Sequence, residues 1–519
     1  MWLVEEKYLV PFYEYHYDML CRPYQCTCCQ ILGGWDFVIQ RPHHNGYSLH
    51  AARGCMLDYI YSFGQDYVSY LQSTYHWSQK LDKFGKCLAQ AMRMVLTKIV
   101  CTIGPRTSSR EKIKELIDAG MSIARLNFSH GSREAHLEVI RNIRDSRSGA
   151  GRHVSIALDT RGPEVRLRTP EMKDIKVEGG EVLRFSLLSS EKDIWIPGVD
   201  LKSLGVDNRV FIDDGAIELR VVNVEEDGFE CEVLNSGMIK SNKSMNFPGT
   251  DIGDRALGDE DKNDIAFGLE NGIDMVFASF VSCRADVEEI RRLVGSKVPV
   301  VSKIESCLGM RNLKEIALCS DGVMIARGDL GVEIGLENMF SAQKRILYEV
   351  KREGRPVICA TQMMESMTLK NAPNRSEISD VGNAVLDGCD CVMLSAESAV
   401  GMFPVETVKF MRSICADAER YDMESRKGAG ACGVSSYVDG VVICSGTESQ
   451  IEKIYLSKPE TPIIVISESL WILRRFSIYR GIIPVYGKGS EDAEATLRRL
   501  GLRGRFLAVG REDVRMVSV

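Results

Sequence analysis

From Leu96 onward, short apolar runs recur, and each is followed by a polar segment with helical spacing. The runs are TKIVCTIG (97–104), MSIARLNF (121–128), VSIALDT (154–160), MVFASF (275–280), VPVVSKIE (298–305), GVMIARG (322–328), PVICATQ (356–362) and CVMLSAES (391–398). They are rich in β-branched residues and apolar on both faces, as strands covered on both sides are. Eight such strands alternating with helices predict an α/β fold, a closed (β/α)8 TIM barrel. Helix starts are marked too: Ser108-x-x-Glu111 matches a capping box.

One connection breaks the rhythm. Between the third and fourth runs, residues 163–248 read as β, with alternation in VRLRT and RVFIDDGAIELRVVNV. Turn signals fall at Gly179-Gly180, Asp214-Gly215 and Asp227-Gly228. This predicts a small β-barrel domain inserted above the main barrel, placed to act as a lid that excludes water. The catalytic barrel is then 94–162 plus 249–413. A helix from Val405 to about Arg426 leads into a linker at 427–433. The linker holds Gly428-x-Gly430-x-x-Gly433, a formal dinucleotide fingerprint, but it follows a polar helix rather than a strand and lacks the required context. Residues 414–519 return to βα alternation in VDGVVICSG, TPIIVIS, GIIPVYG and RFLAVG, a shortened C-terminal α/β domain.

Residues 1–93 stand apart, holding most of the chain's Tyr, Trp and His with no sustained helix or strand period. They read as an atypical, poorly ordered extension, with Met92 and Met94 as alternative starts just before the first strand. Cys21, Cys26, Cys28, Cys29, His43 and His44 raise a metal site, but their spacing matches no zinc pattern.

Composition narrows the function classes. At 519 residues the chain holds several domains, and 45% hydrophobic with 26% charged residues is the balance of a soluble globular protein. A net charge of −7 argues against nucleic acid or a membrane surface as the main partner. No apolar run reaches transmembrane length, and Glu5 and Glu6 stand where a signal peptide is basic. Cysteines such as Cys283, Cys359, Cys389 and Cys391 lie inside apolar segments, as reduced cytoplasmic thiols do.

The chemistry gathers at the strand ends, where α/β sites form. Lys303 and Glu305 are two apart on one strand and share a face. The next strand ends in Arg327-Gly328-Asp329-Leu330-Gly331, where Gly permits close backbone approach. A Lys with two carboxylates predicts a divalent cation beside an anionic substrate. Thr102 to Pro105 before a helix start is a natural anion site. Arg125 shares a face with Asn127 and Ser129, followed by His130; the third strand gives Asp159, Thr160, Arg161 and Arg166. Asn127, Ser129, Asp159 and Thr160 offer one charge and several neutral oxygens, which suits a monovalent cation. The seventh strand contributes Thr361, and the eighth Ser395 and Glu397. A lone polar residue at a strand end is commonly a cap or turn; that most strands end this way points to one pocket. At this level a metal-dependent aldolase or lyase barrel stays open, as do a Lys303 Schiff-base enzyme and a catalytically inactive binding protein.

The segments TKIVCTIGPRTSS, GMSIARLNFSHG, ALDTRGPEVR, MVFASF, SKIES, DGVMIARGDLGVEI, ICATQMMESM, NRSEISDVGNAVLDGCDCVMLSAES and YRGIIPV closely resemble the pyruvate kinase family, from about Thr97 to the C-terminus. The resemblance implies phosphoryl transfer from phosphoenolpyruvate to ADP, giving pyruvate and ATP in the last step of glycolysis. It implies Mg²⁺ on Glu305 and Asp329, and K⁺ on Asn127, Ser129, Asp159 and Thr160. It implies that Lys303 and Arg125 stabilise the transferring phosphoryl group, and that Gly328 and Asp329 bind substrate at a helix start. Thr361 would lie near the enolate carbon, with Ser395 and Glu397 as a proton relay. Asn127, Phe128, Ser129, His130, Arg166 and Lys243 would contact the nucleotide. A homotetramer is also implied.

One match and several departures sharpen the resemblance. Glu164 stands where the family's acidic residue accompanies K⁺ dependence, so K⁺ dependence is expected. Arg161 and Val400 replace family lysines, away from the metal and transfer residues. The loop Ser445-Gly446-Thr447-Glu448-Ser449-Gln450 puts Glu448 where a sugar-bisphosphate activator's phosphate would bind, and Gly510 leads almost directly to Val514. Activation by fructose 1,6-bisphosphate is therefore not expected.

Overall fold

The computed structural model describes residues 95–519 except 147–152, 164, 190–191, 214, 251–252, 254–256, 429–438, 445, 457–460, 489–492 and 511–513. Within residues 1–93 it describes one short antiparallel pairing, Val38–Ile39 with Leu49–His50. The remaining readings on that extension, the rest of the 427–433 linker beyond Gly428, Glu164 and Ser445 lie outside the described residues.

Eight strands close a parallel barrel. They are β1 (Lys98–Thr102), β2 (Ile123–Asn127), β3 (Ser155–Asp159), β4 (Met275–Ala278), β5 (Val300–Ile304), β6 (Gly322–Ala326), β7 (Val357–Ala360) and β8 (Cys391–Leu394). Ladder contacts run β1 to β8 in order and return from β8 to β1, with Cys391 opposite Lys98. Every residue of these strands except Asn127 is buried, which is why each reads as an unbroken apolar run rather than an alternation. Helices cover the outside: α1 (Arg110–Ala119), α2 (Arg133–Asp145), α3 (Asp259–Glu270), α4 (Arg284–Val294), α5 (Leu313–Cys319), α6 (Arg327–Ile334), α7 (Met339–Arg352), α8 (Arg375–Leu386) and α9 (Pro404–Gly428). The outward side chains of the strands, such as Ile99, Leu126, Val300 and Val357, fuse with the helix faces into one core layer.

The α1 cap differs from the expected Ser108-x-x-Glu111 box: Ser109 is the N-cap, and its hydroxyl accepts from Lys112 N at 3.3 Å. The sixth run also ends earlier than its residues suggest. The strand stops at Ala326, and Arg327 opens α6.

The insert contains a six-stranded sheet and a two-stranded ribbon around a single core that includes Phe185, Phe229 and Phe247. It thus has the expected all-β character, but its hydrogen-bond ladder is open; Ile175–Val177 pairs with Gly237–Ile239 apart from the main sheet. Closure comes from packing, with Gly237 approaching Ile217 so closely that a Cβ would sit 2.3 Å from it.

The C-terminal domain is a five-stranded sheet: β9 (Gly440–Cys444), β10 (Ile463–Ser467), β11 (Ile482–Tyr486), β12 (Arg505–Val509) and β13 (Val514–Ser518). β13 is antiparallel to β12 and was not among the strands read from the pattern. Its helices include α10 (Glu448–Leu456), α11 (Leu470–Phe476) and α12 (Ala493–Arg499). Its Ile443, Phe476 and Tyr479 join the side chains filling the barrel interior, such as Met275, Val301 and Met393. The barrel interior and this domain share one core, so the open end of the barrel is the C-terminal end of its strands.

Candidate active site

The parallel register carries the strand-end residues to one level. Thr102 lies beside Arg125, and Asn127 beside Asp159. At the centre lies Asp159, fully buried. Its Oδ2 pairs with Arg125 Nε and its Oδ1 with Lys303 Nζ at 3.1 Å. Burial pushes its carboxyl up, but Arg125 and Lys303 outweigh that and hold it below the usual range. Arg125 also donates through Nη1 to Thr102 Oγ1 at 2.9 Å.

Lys303 Nζ touches Glu305 Oε1 at 2.9 Å and donates to Ser279 Oγ at 2.7 Å. Burial works against its charge; Asp159 and Glu305 prevail and keep it firmly protonated. A protonated ammonium is a poor nucleophile, which disfavours a Schiff-base role. Glu305 behaves oppositely. Burial, only partly countered by Lys303 and reinforced by the charge of Asp329, pushes its carboxyl up to about 7. Lys303 thus offsets only part of what burial and the like charge of Asp329 do to Glu305. Two carboxylates in that condition fit a divalent cation, which is commonly held by one or two protein carboxylates with the substrate supplying the rest. Among the described residues no group of three or more His, Cys, Asp or Glu forms a protein-only metal cage.

The monovalent set looks different. Asp159 already faces two cations, Asn127 Oδ1 accepts from Ser129 N at 3.2 Å, and Thr160 O accepts from Ser279 Oγ at 2.7 Å. A carboxylate whose charge is shared, with neutral oxygens around it, fits a singly charged ion and not a doubly charged one.

Thr361 is held by its neighbours. Its Oγ1 accepts from Gly328 N at 2.9 Å and donates to Ala360 O at 2.7 Å. The Gly328 N–H expected to receive the substrate carboxylate therefore points at Thr361 in this structure. Glu397 is buried and accepts from Ser395 N at 2.7 Å and Met364 N at 3.1 Å, and burial raises its carboxyl. Those bonds clamp the β7 and β8 loops together. The expected relay from Ser395 and Glu397 to Thr361 is not a formed hydrogen-bond chain here.

The nucleotide candidates divide. Asn127 and Ser129 lie at the barrel mouth, and His130 is exposed. The Phe128 ring is buried, stacked on His136 with centroids 4.1 Å apart, so its side chain belongs to the core. Arg166 and Lys243 lie in the insert, where Arg166 Nη1 donates to Asn242 O at 2.8 Å and Lys243 Nζ meets Asp213 Oδ1 at 2.7 Å. Arg161 Nη1 pairs with Glu260 at 2.6 Å where the insert leaves the barrel. Beside it Gly162, at φ 74, lies where a Cβ would meet Ser279 at 2.8 Å.

Three site residues escaped the sequence reading. Ser279 bridges Lys303 and Thr160; Phe280, at φ 53, donates its N–H to Glu305 Oε2 at 2.6 Å; Arg327 packs under Thr361. Ser279 follows the same rule as the others, a polar residue ending a strand. Phe280 acts through its backbone N–H, and Arg327 through a guanidinium that reaches carbonyls on another segment; no residue pattern displays either.

The model of the family described as pyruvate kinase, barrel domain, matches residues 94–408. Pyruvate kinase of Trypanoplasma borreli is 38% identical over 416 residues, covering 75% of this chain and 84% of that protein. Human pyruvate kinase PKLR is 39% identical over 437 residues, 76% of each chain. Pyruvate kinase of Kluyveromyces lactis is 38% identical over 438 residues, 77% of this chain and 87% of that one.

Proposed function

Because the chain belongs to the pyruvate kinase family of phosphotransferases, we propose that it moves the phosphoryl group of phosphoenolpyruvate to ADP through Lys303, Arg125, Glu305 and Asp329. One observation carries this assignment of roles: Lys303, buried and held protonated, lies 2.9 Å from Glu305 Oε1 and 3.1 Å from Asp159 Oδ1, with the charge of Asp329 acting on Glu305 from beside it. Phosphoryl transfer is mostly positioning and charge stabilisation, and both are supplied by these strand ends. A bound Mg²⁺ would supply positive charge to stabilise the phosphoryl group as it transfers. Glu305 and Asp329 would hold it, and Lys303 and Arg125 would face the phosphoryl group from the Asp159 side. Thr361 would lie near the enolate carbon as it takes up a proton.

Asn127, Ser129, Asp159 and Thr160 would hold K⁺. Glu164 supports K⁺ dependence; equal activity in K⁺, Na⁺-only and choline-only buffers would sink it. Arg166 and Lys243 would reach the nucleotide from the lid, together with the Asn127–His130 segment. The repulsive charge of Glu448 supports the absence of activation by fructose 1,6-bisphosphate, and a large fall in the half-saturating phosphoenolpyruvate concentration on its addition would refute that.

A homotetramer is in keeping with apolar side chains left exposed on or beside α7, α8 and α9: Leu336, Phe340, Leu369, Ile378, Met402 and Phe410. Light scattering on the eluting protein tests it. No described helix is long and apolar enough to cross a membrane; the apolar setting of the cysteines supports a cytoplasmic location. The deciding experiment is steady-state pyruvate formation from phosphoenolpyruvate and ADP, with Mg²⁺ and K⁺ varied separately.

A further inference from the structure

The end of β7 holds an unusual piece of backbone. Thr361 and Gln362 follow one another in the left-handed region, at φ 67 and 51. Neither is glycine, and Thr is β-branched, so this conformation persists only where the surroundings enforce it. The enforcing group comes from the start of α6, just past the neighbouring strand β6. Arg327 Nη2 donates to Thr361 O at 2.6 Å, and Nε lies 3.2 Å from both Thr361 O and Ala360 O. Nη2 also meets Met363 Sδ at 3.0 Å. The other arm of the fork, Nη1, pairs with Asp380 Oδ1 of α8 at 2.7 Å. Arg327 is thus anchored on one side and grips the strained carbonyl on the other. Its successor Gly328 holds the Thr361 hydroxyl through its N–H. Two consecutive residues therefore fix Thr361 at both its carbonyl and its hydroxyl.

We infer that Arg327 is a positioning residue: its guanidinium holds Thr361 in the left-handed conformation that aims the hydroxyl at the substrate, and so governs proton transfer at C3 of the enolate. This rests on the proposed role of Thr361. In the forward reaction the phosphoryl–oxygen bond breaks, the enolate remains, and C3 gains a proton to give pyruvate. In reverse a C3–H bond of pyruvate breaks, and in D₂O a deuteron replaces the proton. Arg327 touches none of the reacting atoms. Its planar fork is what lets one side chain serve two carbonyls and a carboxylate together.

The test follows deuterium entry at C3 of pyruvate in D₂O by NMR, with Mg²⁺, K⁺ and ATP present. KM for phosphoenolpyruvate and the melting temperature are measured on the same samples. Misplacing a reacting group by about 1 Å costs about 100-fold. Arg327→Met should slow exchange by about that factor, with KM changed by less than about threefold. Arg327→Lys keeps a charge for Asp380 but loses the fork, and should slow exchange by at least about tenfold. Asp380→Asn, which removes the anchor alone, should do less than either. Wild-type exchange in both Arg327 variants overturns the inference. So does a loss of exchange that merely tracks a lowered melting temperature. Thr361→Ala separates the two layers. If it loses exchange while the Arg327 variants keep it, only the positioning role falls. If it keeps exchange, the role of Thr361 falls and the inference with it.

Discussion

At the N-terminal end of the barrel, Asp274, Asp321 and Asp390 stand just before β4, β6 and β8, and each meets the same three kinds of partner. Each accepts a backbone N–H from a neighbouring strand: Ile156, Val300 and Val357, at 2.8, 2.9 and 2.9 Å. Each pairs with a cation of a covering helix, Arg144, Arg291 and Lys351 respectively. Each also meets a donor from the C-terminal domain: Arg474 at 3.0 Å, Arg475 at 3.3 Å, and Tyr455. At the opposite end the same residue types are left unbalanced. Glu305 and Asp329 repel one another, Lys303 is divided between two carboxylates, and Phe280, Thr361 and Gln362 hold positive φ. Charge shared among complementary partners ties domains together at one end, while competing like charge and strained backbone gather at the other, where the proposed site lies. This difference separates the two ends more sharply than residue identity does.

The comparison breaks most visibly at Lys303. Lys303→Met should lower kcat by about 10³-fold, the upper range for losing one preorganised donor, with no loss of folded protein. Steady-state rates beside a thermal melt check it; a melt that collapses in step with activity would make Lys303 a structural residue. Asp390→Ala should do the reverse. It strands Lys351 and Tyr455 at a domain interface and should cost about 3–5 kcal/mol in urea unfolding, with the turnover of folded enzyme unchanged. A catalytic defect without a stability defect would erase the distinction between the two ends.

A third measurement needs no activity at all. If Glu305 and Asp329 hold Mg²⁺, adding the ion should raise the melting temperature. The gain is about 3 kcal/mol at a hundredfold excess over its Kd, and Glu305→Gln should abolish most of it. An equal shift in wild type and variant would place the ion elsewhere.

Asp274 gives a smaller, pH-dependent effect with a definite sign. Burial raises its carboxyl, but His153 and Arg144 outweigh that and hold it well below the ordinary range. A lowered carboxyl stabilises the fold above its unfolded pKa of about 3.9, and that contribution fades as pH falls toward the folded value. Asp274→Asn should therefore be less stable than wild type at pH 7, with the difference in urea midpoint narrowing below about pH 4. A constant difference from pH 7 to 3 would mean that charge is not what Asp274 contributes.

Where the sequence was legible, one physical reason recurs. A strand buried on both faces must be an unbroken apolar run, so all eight barrel strands could be bounded to within a few residues. The strand-end residues followed from period two. Legibility failed where the determinant was conformation or contact rather than residue type. Ser108 and Ser109 are equally good caps by composition, and only the local φ and ψ choose Ser109. Arg327 belongs to a quoted motif, yet its partner carbonyls lie on the next strand. The Phe128 ring is turned into the core by its stack with His136, a packing that its place in the Asn127–His130 segment does not reveal. The N-terminal clamp did leave a trace, an Asp immediately before β4, β6 and β8, but each is unremarkable until the domain below supplies its partner.

The smallest effect is expected at the junction of barrel and insert, which belongs to neither end. Arg161 pairs with Glu260, but their side chains are 36% and 64% exposed, and a pair so open is worth about 0–1 kcal/mol. What fixes the segment is its backbone: Arg161 N donates to buried Asp261 Oδ1 at 2.8 Å, a bond indifferent to the side chain. Arg161→Lys should therefore leave the melting temperature and kcat nearly unchanged. Because Arg161 also donates to Phe128 O at 3.2 Å, any change should appear in KM for ADP, through the Asn127–His130 segment. Asp261→Ala removes the backbone anchor and should alter KM for ADP more than Arg161→Lys does. If the order is reversed, the side chain and not the backbone fixes this segment, and the family's Lys-to-Arg exchange here is a functional change rather than a tolerated one.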